Sequence, residues 1–282
     1  YALQLLRERE YIDGEVFGES ELETGGYKIY TTLDPDLQEV AEEQVKEGVD
    51  VYGARYGASN ASMVVLDPNT GHVKAMVGSY DYFGTASPEG CTAGVDCRFE
   101  PQVNITNTLQ SPGSSVKPFV YYKAIMEGLI SPGSTIPDIQ IQIGNYKPKN
   151  FEGGFTGWRS ARRHLSLSRN IPPIMLLDEM GADVFVDEMK RWGFTSYNNP
   201  NGYGAAVAVG AADIKLIEHA QAYGVFANEG KLVRHEVIKK IEDSDGNVIY
   251  DHKVKAKRVA DARGVFLVND MLNGVKDGPG VS

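Results

Sequence analysis

Apolar positions along the chain change their period several times, and each change marks an element. Tyr27 to Leu33 is rich in β-forming residues, and Asp34-Pro35 then offers a helix cap followed by proline at the first helical position. Leu37, Val40, Ala41, Val45 and Val49 follow at helical spacing, which predicts a helix able to dock on a sheet. Ala61 to Leu66 and His72 to Val77 read as strands, and Asp67-Pro68-Asn69-Thr70-Gly71 between them predicts a hairpin turn. Residues 80 to 105 have little periodicity, whereas Ser114 to Gly128 predicts a helix stopped by Gly128 and then Ser131-Pro132-Gly133. Residues 134 to 165 are irregular, with Tyr146, Phe151, Phe155 and Trp158 among glycines. Helical spacing returns at Ile171 to Met180 and Asp183 to Trp192, so this middle part reads as a helical insertion. Ile214, Ile217, Ala220, Tyr223 and Ala227 predict a helix up to Gly230. Leu232 to Glu242 and Asn247 to Asp251 flank the turn Ser244-Asp245-Gly246 as a second hairpin, and a last helix covers about Ala260 to Val275 ahead of Gly278-Pro279-Gly280.

These elements predict an α+β fold: a mainly antiparallel sheet, built from the 61 to 77 hairpin and the 231 to 251 pair, flanked by helices, with a helical subdomain and an active site between sheet and subdomain. Residues 1 to 26 are charged, with Leu3, Leu5 and Leu6 in a short helical pattern, and read as a linker. No repeat or low-complexity tract interrupts the 282 residues.

Composition narrows the function. With 28 Lys and Arg against 38 Asp and Glu, the net charge of -10 argues against a nucleic-acid partner, so an anionic substrate needs a local basic pocket. Nowhere is there a run of the roughly 18 apolar residues that a membrane span needs. Cys91 and Cys97 lie close enough in sequence for a bridge in an oxidising compartment, the alternative being two free thiols. His72, His164, His219, His235 and His252 are scattered without ligand spacing, so no metal site and no cofactor is expected.

One short stretch carries nucleophile chemistry. Ser114-Ser115-Val116-Lys117 sets a hydroxyl and an amine on one face at the start of a helix, within hydrogen-bond range of each other. The N-terminal N–H groups and dipole end would stabilise an oxyanion there, and Lys117 can act as base only if burial or a nearby cation lowers its pKa. A serine at a helix start is otherwise simply a cap, but Gln110-Ser111-Pro112-Gly113 delivers a tight turn into Ser114, and Pro118 is tolerated only in a first turn. A second polar triplet, Ser168-Arg169-Asn170, precedes Ile171-Pro172-Pro173, whose prolines stop a preceding helix and fix the chain direction. Ser168 suits a proton relay and Asn170 an amide ligand.

Ser114-Ser115-Val116-Lys117-Pro118-Phe119 and Ser168-Arg169-Asn170 resemble the SxxK and SxN motifs of penicillin-binding proteins. Thr31-Thr32-Leu33-Asp34-Pro35, Leu66 to Gly71 with Val77-Gly78, and Ala220 to Asn228 are similar to the bifunctional, class A branch. The resemblance implies the fold shared by penicillin-binding transpeptidases and serine β-lactamases. It also implies a peptidoglycan DD-transpeptidase: Ser114 is acylated by the D-Ala-D-Ala donor stem, and an amine acceptor resolves the acyl-enzyme into a crosslink. Lys117 would be the base, Ser168 the relay to the leaving amine and Asn170 the substrate-amide ligand; β-lactam antibiotics would acylate the same serine. The parent protein would be membrane-anchored and act at the extracytoplasmic face of the bacterial cell membrane. On this basis residues 1–59 are expected to lead from an upstream glycosyltransferase domain, and residues 60–282 to form the transpeptidase domain.

The family's third motif, Lys-Thr-Gly on an edge strand, is absent, and Lys276-Asp277-Gly278 does not substitute for it. The sequence is therefore expected to stop before that strand, and half of an oxyanion hole would go with it. A weak or inactive catalyst is the consequence, since one donor is worth about 100- to 1000-fold in rate. The alternatives are a non-catalytic scaffold of the same fold, or a serine β-lactamase or β-lactam sensor, for which no second general base is placed to activate water. A Ser-His-Asp hydrolase lacks its GxSxG elbow. His164 stands where a small residue is expected. Arg162, Arg163 and Arg169 are read as solvated surface residues ahead of a role in binding anionic stems.

Overall fold

The computed structural model describes residues 1–8, 11, 17–198 and 202–274. The chain divides into two compact units: one formed by Tyr1–Thr106 with Val233–Ala256, the other by Asn107–Leu232 with the chain from Lys257 on. Residues on both sides of the expected boundary at 59/60 thus lie in the first unit.

In the first unit, Asp34 caps helix Pro35–Tyr56 by accepting from the Leu37 N–H, and Gly57 ends it in the left-handed conformation. The helix lies on the predicted hairpin, Met63–Leu66 paired antiparallel with Val73–Val77, through Ala41, Val45, Ala75 and Val77. The contact stripe is narrower than its periodicity suggested: Leu37 and Val40 are exposed, because a two-stranded ladder is only wide enough to cover one i, i+4 row. Asp67 closes the hairpin turn by accepting from the Asn69 N–H and the Thr70 hydroxyl. Gly71 is obligatory there, since its φ is 75° and an added Cβ would stand 2.1 Å from the Arg234 carbonyl oxygen.

Lys28–Thr31, inside the predicted 27 to 33 run, pairs with Ile238–Glu242, which on its other side pairs with Val248–Asp251. The two expected hairpins form antiparallel ladders that meet at a parallel bridge between His72 and Glu236, where the Val73 N–H donates to the Glu236 carbonyl and the Glu236 N–H to the Gly71 carbonyl. The opening segment is packed as well as charged: Leu5 and Leu6 of helix Ala2–Glu8 are buried. Cys91 and Cys97 form a disulfide.

The second unit is mainly helical. Its core gathers around helix Lys117–Met126, where Phe119 meets Trp192 edge-on at 5.2 Å and Val120 and Tyr121 are fully buried. The middle region departs from the expected insertion in one respect. Thr135–Asp138 and Gly157–Ser160 form an antiparallel ladder, with Asp138 opposite Gly157. Its periodicity is masked because Pro137, Gly157 and two charged residues occupy positions that an alternating pattern would fill with β-formers. Ser160 then caps helix Ala161–Ser166. Pro172 and Pro173 begin helix Ile171–Met180 instead of stopping a helix, because the first turn has no use for their missing N–H groups. Ile214 belongs to a two-residue strand paired with Leu109–Gln110, and the helix starts after it at Leu216. The last helix is Ala262–Asn273, capped by Asp261; Val275 and the Lys276-Asp277-Gly278 stretch lie outside the described residues.

Candidate active site

Two elements present Ser114. The Leu109–Gln110 ladder anchors the approach, and Gly113–Val116 forms a 3-10 turn that runs directly into helix Lys117–Met126 with Pro118 in its first turn. In a 3-10 turn residues i and i+3 eclipse, which stacks position 114 over position 117. The turn is held from behind by Gly210, whose backbone lies so close that an added Cβ would be 2.4 Å from the Gly113 nitrogen. The Ser111 hydroxyl donates to the Gly210 carbonyl at 2.8 Å. Ser114 itself is exposed, whereas Lys117 is only 1% exposed.

Lys117 reaches across to the second motif. Its Nζ donates to the Ser168 carbonyl at 2.5 Å, the Ser168 hydroxyl at 3.1 Å and the Asn170 Oδ1 at 2.7 Å. Ser168 has a φ of 51°, a left-handed conformation that a residue other than glycine adopts at a cost of about 1–3 kcal/mol, and which here turns its carbonyl onto the ammonium. Burial first, and the Arg169 charge second, push the Lys117 pKa down to about 8. The base requirement is met by both of the causes considered from sequence. The expected bond between Lys117 and Ser114 does not form: an ammonium has three donors, and among the described residues Ser168 and Asn170 take all three.

A buried polar network fixes the second motif. Asp138, fully buried, accepts from Asn150 Nδ2, the Thr156 N–H, the Thr156 hydroxyl and Arg169 Nε, each at 2.8 Å. Burial alone would raise its pKa, but the hydrogen bonds from Asn150, Thr156 and Arg169 outweigh that and hold the carboxyl low. Asn150 also accepts from the Asn170 N–H at 2.8 Å, and Asn170 Nδ2 donates to the Lys149 carbonyl at 2.9 Å. One Asn170 N–H is left over for another acceptor.

All four residues named from sequence, Ser114, Lys117, Ser168 and Asn170, lie in the second unit. Arg169 is not a surface residue: it is 7% exposed and paired with Asp138, because a guanidinium placed beside Lys117 must be neutralised to be buried. Arg162 pairs with Asp270. His164 is a core residue bonded through Nε2 to the Ile136 carbonyl, and burial lowers its pKa. Asp138, Asn150 and Thr156 were not singled out from sequence, nor was His219, whose Nε2 lies 2.8 Å from the Ser115 hydroxyl. The signal available was an Asp and an Asn embedded in an aromatic, Gly-rich stretch upstream of the polar triplet, a place where buried partners are needed if the triplet is rigid.

Residues 61–281 match the family described as the penicillin binding protein transpeptidase domain. Penicillin-binding protein 2D of Bacillus subtilis is 28% identical over 264 residues, covering 91% of this chain and 35% of that protein. Penicillin-binding protein 1C of Escherichia coli is 36% identical over 206 residues, covering 72% of this chain and 25% of that protein. The chain thus spans little more than a third of the first and a quarter of the second. Penicillin-binding protein PonA1 of Mycobacterium tuberculosis, solved in complex with penicillin V, shares the fold with a TM-score of 0.75 at 20% identity, over 94% of this chain and 69% of that one.

Proposed function

The chain belongs to the penicillin-binding-protein transpeptidase family, and we propose on that premise that it is a serine DD-transpeptidase that crosslinks peptidoglycan stem peptides and is acylated by β-lactams. The observation that carries this reading is the convergence of Lys117, Ser168 and Asn170, with the Lys117 pKa lowered to about 8, beneath an exposed Ser114.

At pH 7 a group of that pKa is neutral in roughly one molecule in ten, against fewer than about one in a thousand for an ordinary lysine. A neutral amine keeps two N–H donors and gains a lone pair, so one of the three contacts to Ser168 and Asn170 is released and the pair can turn to the Ser114 proton above it. Ser114 Oγ then attacks the carbonyl of the penultimate D-Ala. The Ser114 backbone N–H, at the start of the turn, stabilises the oxyanion. The Lys117 proton passes through the Ser168 hydroxyl to the departing D-Ala amine, and Asn170 Nδ2 holds a donor amide. An acceptor amine reverses the sequence to form the crosslink and regenerate Ser114. A β-lactam enters by the same attack, its ring opening in place of the peptide bond, in line with the penicillin V complex of PonA1.

The whole protein is proposed to be membrane-anchored, to act at the extracytoplasmic face and to carry a glycosyltransferase domain ahead of this one. Incubation with a fluorescent penicillin, followed by peptide mapping, tests the reading: a penicilloyl adduct on Ser114 that disappears in Ser114→Ala supports it. No adduct after prolonged incubation leaves the scaffold reading. Many turnovers of a chromogenic cephalosporin point to a β-lactamase.

A further inference from the structure

Behind the nucleophile turn, helix Leu216–Ala227 presents two side chains one turn apart, and both grip Ser115. The Tyr223 hydroxyl donates to the Ser115 carbonyl at 2.7 Å, and His219 Nε2 lies 2.8 Å from the Ser115 hydroxyl. That hydroxyl also lies 2.6 Å from the Pro112 carbonyl, to which it donates. The imidazole is packed among the rings of Tyr223, Phe119 and Phe194, with centroids at 5.1, 5.7 and 6.0 Å.

The bonding fixes the tautomer. Ser115 has one proton, and the Pro112 carbonyl can only accept, so the contact with His219 is satisfied when Nε2 carries the hydrogen and donates. His219 Nδ1 is buried and has no hydrogen-bond partner. Leaving a lone pair there costs less than leaving an N–H donor or an imidazolium charge. The same burial pushes the His219 pKa down to about 4, so the ring is neutral at physiological pH. A Ser115–His219 pair with the proton on Nδ1 would resemble an activated nucleophile, but it would strand the Pro112 contact and bury an unpaired donor.

We propose that His219 is a positioning residue for acylation: its Nε2–H holds the Ser115 hydroxyl against Pro112, and together with Tyr223 this locks the 3-10 turn that aims Ser114. His219 touches neither substrate nor nucleophile and acts only through Ser115. The inference rests on the reading of Ser114 as nucleophile, and its test separates the two.

His219→Gln keeps an N–H donor near the Nε2 position, His219→Leu keeps apolar bulk without a donor, and Ser115→Ala removes the acceptor. Acylation by a fluorescent penicillin is measured in single turnover, resolving the acylation rate constant from the dissociation constant of the preceding complex. His219→Leu is expected to slow acylation by roughly 5- to 30-fold, the scale of one buried hydrogen bond, with the dissociation constant changed by less than about twofold. His219→Gln recovers most of the rate. In the Ser115→Ala background the Leu substitution adds less than about twofold, the non-additivity of a pair acting as one unit. Equal slowing in both backgrounds, or no slowing, overturns the proposal. So does an adduct on Ser115 in Ser114→Ala, which would make the Ser115–His219 pair a second nucleophile. If the unmodified chain forms no adduct, the functional reading fails by itself. Nitrogen NMR of His219 then decides: a proton on Nε2 that shifts when Ser115 becomes Ala upholds the contact, and a proton on Nδ1 refutes it.

Discussion

Removing the charge that stands behind the base gives the most informative perturbation. Arg169→Met deletes a guanidinium that is 7% exposed, bonded to Asp138 at 2.8 Å and to the Gly154 carbonyl at 2.9 Å. Burial is the larger of the two causes that lower Lys117 from 10.5 to about 8, so Arg169 accounts for less than half of the lowering. Its loss moves the acid limb of the acylation profile upward, and at pH 7 the neutral fraction falls by less than about 20-fold. Stability falls too. Asp138 keeps its bonds to Asn150 and Thr156 but loses its counter-charge, at a cost of about 3–5 kcal/mol, or roughly 6–20 °C in Tm for a domain of this size. The assay is the second-order rate of Ser114 acylation by a fluorescent penicillin between pH 6 and 10, well below the variant's melting temperature, with near-UV circular dichroism confirming the fold. An electrostatic role predicts that variant and parent converge at pH 10, where both lysines are largely neutral. A folded variant with an unmoved acid limb would refute the coupling. A uniform loss at every pH would show Arg169 to be a structural support only.

Lys117 and His219 also give two separate pH windows in stability, both of the same sign. Lys117 has a depressed folded pKa, so its contribution improves as pH rises from about 8 to 10.5, by about 3 kcal/mol in all; Lys117→Met lacks that rise, so the stability gap between variant and parent is expected to change across that window in urea titrations. A gap independent of pH contradicts this. His219, also depressed, stabilises the native state above pH 6.5 and loses that contribution as pH falls toward 4, about 3 kcal/mol in all. His219→Met should therefore flatten the acid side of a Tm-against-pH curve, and a curve that keeps its slope counts against a buried neutral imidazole. Gly210→Ala forces φ of 94° on a residue with a Cβ only 2.4 Å from Gly113, so Tm and the acylation rate are expected to fall together, by at least about 2 kcal/mol in stability. An alanine variant that melts and labels like the parent would show that the turn is not held there.

What could be read from sequence was what is local. The Asp34-Pro35 cap and the Asp67 to Gly71 turn each state their geometry within a few residues and appear in the structure as expected; Ser114 and Lys117 do open a helix, but the Lys117 ammonium turns to Ser168 and Asn170 instead of Ser114. The meeting of Lys117 with Ser168 and Asn170, 51 and 53 residues apart, came from the resemblance and not from periodicity. What stayed hidden is what only tertiary packing decides. Asp138 is 31 residues from Arg169, in a strand whose proline and charged neighbours obscure its alternation, so the arginine looked like a solvated one. His219 sits 104 residues from Ser115 on a helix buried on several sides; of the expected apolar row, Ile214 and Ile217 are buried while Ala220, Tyr223 and Ala227 are half-buried or exposed, and Glu218, His219, Gln221 and Ala222 are buried as well. A helix enclosed by neighbours has no single apolar face to reveal which polar residue points inward.

The central claim is that Ser114 is the acylated residue and that a neutral Lys117 makes it so. Intact-mass and peptide-mapping measurements after exposure to a fluorescent penicillin at pH 7 and pH 9 address both halves. A single adduct on Ser114 is predicted, formed faster at pH 9 because the fraction of neutral Lys117 rises through about pH 8, and abolished in Ser114→Ala. An adduct on another residue, or a Ser114 adduct whose rate is the same at both pH values, would contradict the account.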